Sequence, residues 1–165
     1  MKSYDDINRQ AAECLYTGMM TDTGAFSYNS NRTDIYFIIG ELIKKGIDKD
    51  AIYRRVYQVY SESRMRLMGY TMNEKMKVYP AQRAALITLT RDELQRYHYT
   101  AGDTEGFVNM PLDIDGVEFS VFIREDRDYA KVSLRSVGRF PCNRFAMRHF
   151  NGGGHKNASG GEFYG

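Results

Sequence analysis

The sequence predicts an α+β fold in which an N-terminal helical segment is followed by a small mixed sheet. Three observations predict it. The first 75 residues show the helical spacing of apolar residues between capping signals. Residues 84–90 and 117–136 show the alternation and composition of β-strands. The two kinds of segment are separated along the chain, so we predict one helical part over 1–75 and one α+β part over 76–165.

The helical part is expected to contain four helices, over 3–19, 33–45, 48–60 and 61–75. Ser3 followed by Asp6 resembles a capping box, which would open the first helix. In the third helix, Tyr53, Tyr57 and Tyr60 recur at i, i+4 and i+7. That spacing predicts a buried helix face.

The second part is expected to form the sheet and its short helices. Strands are predicted over 84–90, 117–124, 129–136 and 158–164, and helices over 91–97, 104–112 and 143–150. A polar turn at 126–128 would join the second and third strands into a hairpin. Alternation along the third strand places Lys131, Ser133 and Arg135 on one face of the sheet.

The composition excludes several classes of protein. The chain has 165 residues with 42% hydrophobic and 27% charged, and its net charge is only +2. It has no apolar run of membrane-spanning length, and its acidic start does not match a secretory signal. We therefore expect a cytoplasmic protein without a membrane partner. The small net charge argues against binding to long nucleic acid, so a phosphate-bearing ligand would be small and held locally.

The run Gly152-Gly153-Gly154-His155 is the most informative motif. One interpretation is the C-terminal cap of the preceding helix, for which a single glycine is enough. The other is an anion site, because successive glycines with positive φ can turn several N–H groups toward one point, and a histidine can donate to a phosphate oxygen. The extra glycines favour the anion site slightly.

Two further segments carry candidate site residues. In Ser133-Leu134-Arg135-Ser136, Ser133 and Arg135 provide a hydroxyl and a guanidinium that would clamp a phosphate beside the glycine run, although a solvated sheet face is the simpler interpretation. Asp22, in Thr21-Asp22-Thr23-Gly24, is a candidate metal ligand or part of a helix-ending turn. No Asp/His cluster surrounds any of the histidines, so one carboxylate would be an incomplete metal site.

These motifs together resemble those of a known family. Gly152-Gly153-Gly154-His155-Lys156-Asn157-Ala158-Ser159-Gly160 resembles the GGGHxxAAG signature of the DHH-associated C-terminal domain, with Ser159 at the second alanine. Ser133-Leu134-Arg135-Ser136 is similar to its SLRS-type strand, and the segment around Asp22 resembles the last metal motif of the DHH phosphoesterase domain. By pattern the chain is most similar to NrnA-type oligoribonucleases and 3′-phosphoadenosine 5′-phosphate phosphatases; exopolyphosphatase-related proteins belong to the same superfamily.

The resemblance implies a Mn²⁺-dependent hydrolase of short oligonucleotides or nucleoside bisphosphates. It implies that Asp22 binds a metal ion, that residues 1–75 are the end of a DHH domain, and that Ser133, Arg135, Ser136 and the run 152–155 bind substrate. No Asp-His-His triplet occurs in the chain, so most of the metal ligands would belong to an N-terminal DHH domain that is missing here. We therefore expect the chain alone not to hydrolyse phosphodiesters. The resemblance leaves open whether the chain forms a homodimer. It also leaves open an alternative function, that of a non-catalytic nucleic-acid-binding module like those appended to alanyl-tRNA synthetases.

Overall fold

The computed structural model describes residues 6–164, which divide into two compact units between Val59 and Tyr60. The first unit contains three helices: α1 (Arg9–Asp22), α2 (Thr33–Lys44) and α3 (Lys49–Tyr57). Within residues 6–164, no helix combines the length and the apolar character that crossing a membrane requires.

Helix α1 begins later than the sequence indicated. The side chain of Asn8 accepts a hydrogen bond from the N–H of Ala11 at 2.9 Å, which caps the helix and makes Arg9 its first residue. Ser3, the expected capping residue, lies outside the described residues. The helix ends at Asp22 and buries a stripe at four-residue spacing against the other helices: Ala12, Tyr16 and Met20.

The expected buried tyrosine face of the third helix is wrong. Tyr53 is 41% exposed and Tyr60 is 49% exposed, whereas the adjacent Ile52 is buried. Helix α3 ends at Tyr57, so Tyr60 does not lie on it. The aliphatic side chain takes the core position because it buries no polar group, while an exposed tyrosine can keep its hydroxyl in water.

The second unit is built around one sheet. Its helical elements are α4 (Glu62–Tyr70), a π-helical turn (Thr71–Lys75), α5 (Arg91–Arg96), α6 (Cys142–His149) and 3₁₀ turns at Pro80–Gln82 and Phe107–Asp113. Its strands are β1 (Met76–Tyr79), β2 (Ala84–Leu89), β3 (Phe119–Glu125), β4 (Ala130–Ser136), β5 (Gly153–His155) and β6 (Ala158–Phe163). The strand order is β1-β2-β3-β4-β6-β5; β2 and β3 run parallel and every other neighbouring pair is antiparallel. The predicted mixed sheet and the hairpin of β3 with β4 are therefore confirmed.

The sheet is covered differently on its two faces. Helix α6 packs on one face, where Cys142 and Ala146 meet Val132 and Leu134. On the other face, a second cluster gathers residues of β2 and β3 with α4, α5 and the 3₁₀ turn: Leu67, Ile87, Leu89, Leu94, Phe107, Val108 and Phe122. We call this second face the cavity face. It also carries the side chains of β4 that alternate with Val132 and Leu134.

Several boundaries differ from the sequence-based expectations. Strands β1 and β5 were not expected, and the expected helix over 104–112 is a 3₁₀ turn over Phe107–Asp113 that contains Pro111. The two units divide between residues 59 and 60, whereas we predicted a domain boundary after residue 75. The physical reason is Leu67, which is fully buried in the cluster of the cavity face and so joins α4 to the sheet.

Candidate functional site

Four of the predicted substrate-binding residues lie on the cavity face. Directly opposed residues of antiparallel strands point to the same side of a sheet. Two rows of opposed residues cross β4, β6 and β5: Arg135–Ala158–His155 and Ser133–Gly160–Gly153. Neighbouring strands lie about 4.8 Å apart, so each row spans roughly 10 Å. The sheet therefore brings together Ser133, Arg135, Gly153 and His155.

The middle of this patch is nearly free of side-chain atoms. Gly160 and Gly153 contribute none, and Ala158 contributes a methyl group. Arg135 and His155 stand on opposite sides of it. The result is a shallow trough across three strands, with a guanidinium on one side and an imidazole on the other, and such a trough admits a ligand close to the backbone.

A cavity of about 630 Å³ adjoins the trough. We call it the sheet cavity. Strand β4 contributes Lys131, Ser133 and Arg135 to its lining, and β3 contributes Phe122 and Arg124. The remaining lining comes from the segment that precedes the 3₁₀ turn and from its first residues: Tyr99, Ala101, Gly102, Thr104, Glu105, Gly106 and Val108. This volume lies within the usual range for small-molecule sites.

Arg124 is a candidate binding residue that the sequence analysis did not single out. Its Nη2 donates to Asp126 Oδ2 at 3.0 Å, and its Nη1 donates to the hydroxyl of Tyr99 and, at 3.4 Å, to that of Thr104. The Arg127 N–H, followed by Arg124, holds the pKa of the Asp126 carboxyl below its ordinary value. These contacts hold the guanidinium in one place. The predicted hairpin could have identified Arg124, because it pairs Arg124 with Lys131 and so places both side chains on one face of the sheet.

Arg135 and Lys131 keep their charges available. The Nη1 of Arg135 donates to the carbonyl of Leu134 at 2.9 Å, and neither cation forms an ion pair within residues 6–164. Arg124 also lines the cavity but its charge is offset by Asp126, so Lys131 and Arg135 remain against the carboxylate of Glu105. The chemistry of this surface favours an anionic ligand.

The glycine run does not have the conformation that the anion-site interpretation required. Residues 153–155 form strand β5, and of the three glycines only Gly154 has a positive φ, of 134°. Asn151 takes the left-handed conformation with φ 47°, and the Gly152 N–H donates to the carbonyl of Ala146 at 3.3 Å. The end of α6 is thus closed by Asn151 and Gly152, as the helix-cap interpretation expected.

Most of these glycines are needed because backbones approach closely. A Cβ at Gly152 would lie 1.9 Å from the carbonyl oxygen of Gly160, and a Cβ at Gly154 would lie 2.7 Å from that of Ala158. Gly153 differs, because a Cβ there would meet nothing within 4 Å and its φ is ordinary. Packing within the described chain therefore does not require a glycine at 153. The free space above it lies on the cavity face.

The remaining predicted residues lie elsewhere. Ser136 is buried and lies on the α6 side of the sheet; its hydroxyl donates to the carbonyl of Phe140 at 2.8 Å and accepts from Asn157 at 2.8 Å. Gly154 also lies on the α6 side, opposite Ser159. The structure therefore does not bring Ser136 or Gly154 to the face that carries Arg135.

Asp22 is the last residue of α1 and is exposed. The chain then makes a left-handed turn in which Gly24, Ala25 and Phe26 have φ of 53°, 55° and 65°. Left-handed non-glycine residues cost energy and are common near functional sites. A metal centre needs more ligands than one carboxylate, and within residues 6–164 no three or more His, Cys, Asp or Glu side chains are grouped so that they could hold a metal ion. The described residues alone therefore do not fit the implied manganese centre.

Comparison with known proteins agrees with this architecture. Residues 84–165 match the model of the DHHA1 domain. The bifunctional oligoribonuclease and PAP phosphatase NrnA of Bacillus subtilis is 28% identical over 158 residues, which cover 96% of this chain and 49% of that protein. The probable NrnA of Streptococcus mutans is 31% identical over 159 residues, covering 96% and 50%. The chain thus spans about half the length of the curated relatives it matches.

Solved structures give the same result. The crystal structure of an exopolyphosphatase-related protein from Bacteroides fragilis has a TM-score of 0.95 and 64% identity, covering 98% of this chain and 47% of that one. A pGpG-specific phosphodiesterase from Vibrio cholerae has a TM-score of 0.52 at 15% identity and shows a likeness of fold alone. The resemblance inferred from the motifs is confirmed: residues 84–165 of this chain belong to the DHHA1 domain family.

Proposed function

We propose that the cavity face is the substrate-binding surface of a phosphoesterase that acts on short oligonucleotides or nucleotides. The observation that carries this proposal is the meeting of Ser133, Arg135, Gly153 and His155 on one sheet face beside a cation-lined cavity. The names of the curated relatives, which are oligoribonucleases and PAP phosphatases, support the same substrate class.

Each group has a role in this proposal. Arg135 presents a planar fork of N–H donors that matches a phosphate, and Ser133 and His155 add single donors. Gly153 lets the phosphate approach the strand. Lys131 neutralises further negative charge, and the half-buried ring of Tyr99 contacts the nucleoside. All of these groups position the ligand, and none of them is required to react with it.

Hydrolysis itself is proposed to depend on Mn²⁺ held mostly by residues outside this chain. Asp22 would supply one ligand, and an N-terminal DHH domain would supply the others, in keeping with relatives about twice as long as this chain. Bound Mn²⁺ would lower the pKa of a water molecule and stabilise charge on the phosphoryl oxygens. The chain alone therefore binds substrate but does not cleave it. Its self-association as a homodimer stays a prediction, which sedimentation of the 165-residue chain would test.

The binding proposal can be tested without metal. A 5′-phosphorylated ribodinucleotide is titrated into the 165-residue chain in the presence of EDTA, and amide chemical shifts are followed. We expect shifts on β4, β5 and β6, and a loss of affinity of about tenfold or more in Arg135→Ala. Arg144→Ala is the matched control, because Arg144 is exposed on α6, which covers the other face. Equal affinity in both variants would rule out the proposed surface.

A parallel titration with tRNA tests the alternative of a nucleic-acid-binding module. A module of that kind would bind tRNA tightly and would show no measurable binding of the dinucleotide. Affinity for tRNA that falls steeply with salt, together with the absence of shifts on the cavity face, would favour the module. The near-neutral net charge of +2 favours the small ligand.

A further inference from the structure

Arg64 of helix α4 is buried and hydrogen-bonded to three backbone carbonyls of one loop. Its exposed fraction is only 7%. Its Nη1 donates to the carbonyl of Gly102 at 3.0 Å and to that of Asp103, and its Nη2 donates to the carbonyl of Glu105 at 2.7 Å. One side chain therefore fixes nearly every carbonyl in a stretch of four residues.

This loop forms a wall of the sheet cavity. Gly102, Thr104, Glu105 and Gly106 all line the cavity opposite the cations of β4. Gly102 and Gly106 have φ of 100° and 86°, so the loop continues neither a strand nor an α-helix. Besides Arg64, its main polar anchor is the Asp103 carboxylate, which accepts from the N–H and hydroxyl of Thr100 at 2.8 Å each. The position of the wall thus depends on a few side chains.

The surroundings of Arg64 are unusual for a residue that only stabilises a fold. Its guanidinium lies 4.0 Å from the ring centre of Tyr60 and 5.4 Å from that of Phe107, and no carboxylate pairs with it within residues 6–164. Among the described residues, its buried Nε has no hydrogen-bond partner. A buried cation and an unmet N–H are both costly, whereas an apolar residue could fill the same space. The hydrogen bonds of Arg64 to the loop carbonyls offset these costs and fix the position of the loop.

We propose that Arg64 is a positioning residue that sets the width of the sheet cavity and thereby its selectivity for a nucleobase. This inference rests on the proposed function. Arg135 and Ser133 hold the phosphate from the sheet, so phosphate affinity is independent of Arg64. The base lies between the wall and the half-buried ring of Tyr99, so its contribution to affinity depends on where Arg64 places the wall.

The experiment compares two ligands that differ only in the base. Adenosine 5′-monophosphate and ribose 5-phosphate are titrated by NMR into the wild-type chain and into Arg64→Met and Arg64→Lys. Because base contacts are worth roughly tenfold in affinity, we expect the ratio of the two dissociation constants to fall by about that factor in Arg64→Met. Affinity for ribose 5-phosphate stays unchanged. Arg64→Lys keeps the charge but meets fewer carbonyls, so it restores part of the ratio.

Arg66→Met is the matched control, because Arg66 lies on the same helix but is exposed and pairs with Glu62 at 2.7 Å. A ratio that stays at the wild-type value in Arg64→Met, or equal losses for both ligands, overturns the proposal. A wild-type chain that binds neither ligand refutes the proposed function.

A measurement without ligand tests the role of Arg64 in placing the wall, whether or not the chain binds nucleotides. The Asp103 N–H donates to Thr100 and the Glu105 N–H to Gly102, at 3.0 and 2.9 Å, so both amides report on the wall. We expect their hydrogen exchange to accelerate about tenfold or more in Arg64→Lys, with the amides of β4 unchanged. Unchanged exchange at both amides would contradict a positioning role. The lysine variant keeps this test available if Arg64→Met does not fold.

Discussion

Ser133 and Ser136 lie three positions apart on strand β4, and their side chains point to opposite faces of the sheet. Ser133 lines the sheet cavity next to Arg135, and no hydrogen bond within the described residues involves its hydroxyl. Ser136 is 5% exposed and its hydroxyl connects Phe140 to Asn157. The same residue type thus has two environments on one strand: one hydroxyl is available to a ligand, and the other supports the turn that leads into α6.

This difference predicts opposite effects of the same substitution. Ser136→Ala removes one hydrogen bond from the carbonyl of Phe140 and one from the amide of Asn157, both of which keep weaker partners, so we expect a loss of about 1 kcal/mol in unfolding free energy and little change in nucleotide affinity. Ser133→Ala is expected to keep the stability within about 0.5 kcal/mol and to weaken binding severalfold. Urea unfolding and the dinucleotide titration measure the two quantities. Weakened binding in Ser136→Ala at full stability would restore Ser136 as a binding residue.

The glycines at 152 and 153 are expected to respond differently to a side chain. In Gly152→Ala the new Cβ would lie 1.9 Å from a carbonyl oxygen of β6, so strands and helix end must separate; we expect a loss of at least about 2 kcal/mol in unfolding free energy. In Gly153→Val the side chain enters open space on the cavity face. Stability is expected to change by less than about 1 kcal/mol, because valine favours strands, while nucleotide affinity falls.

Thermal unfolding and ligand titration of the two variants separate fold from function. If Gly153→Val binds the dinucleotide as well as the wild-type chain does, the ligand does not approach β5 at this point. If Gly152→Ala is fully stable, the close approach of the helix end to β6 is not a constraint on the sequence.

Glu93 is the centre of a polar cluster that ties α5 to the π-helical turn. Its Oε1 accepts from Lys75 at 2.6 Å and from the hydroxyl of Tyr70 at 2.5 Å, and its Oε2 accepts from the N–H of Thr90 at 2.8 Å. Burial raises the pKa of Glu93, but the hydrogen bonds from Lys75, Thr90 and Tyr70 outweigh it and lower the pKa from 4.5 to about 2. The hydrogen bond to Glu93 raises the pKa of Tyr70 to about 12.

The lowered pKa predicts an acid-dependent loss of stability. The folded carboxyl binds a proton less readily than the unfolded one, so its contribution is complete above pH 4.5 and is lost as the pH falls toward 2. We expect it to reach about 3 kcal/mol of unfolding free energy. Urea unfolding between pH 2 and 6 measures it, with Glu93→Gln lacking this part of the pH dependence. Glu62→Gln is the control, since Glu62 pairs with Arg66 at the surface. Parallel pH profiles for the wild type and Glu93→Gln would show that the cluster is not coupled to folding.

Local patterns in the sequence were sufficient for most of the fold. The alternation along β3 and β4 correctly placed Lys131, Ser133 and Arg135 on one face, because the pleat of a strand fixes side-chain direction over short distances. Helix positions followed from apolar spacing. Boundaries were less certain, as Asn8 shows, because several polar residues compete to cap a helix and only the folded chain shows which one does.

The candidate site was predicted only in part. The motif residues were identified by resemblance, yet the conformation of the glycine run was misjudged, since a strand of three residues carries almost no periodic signal. The wall formed by residues 101–106 and its anchor Arg64 were missed. An arginine on an exposed-looking helix gives no sign that its partners lie about 40 positions later in the chain.

The sequence by itself thus determined the kinds of element, the β3–β4 hairpin and the family, since these depend on neighbouring residues and on motifs. Only the tertiary structure decided that β6 lies between β4 and β5, which places Gly153 and His155 on the same face as Arg135. Strand order follows from backbones that pack closely across distant parts of the chain. The pairing of Ser133 with Gly160 joins residues 27 positions apart in the chain, and no local pattern encodes it.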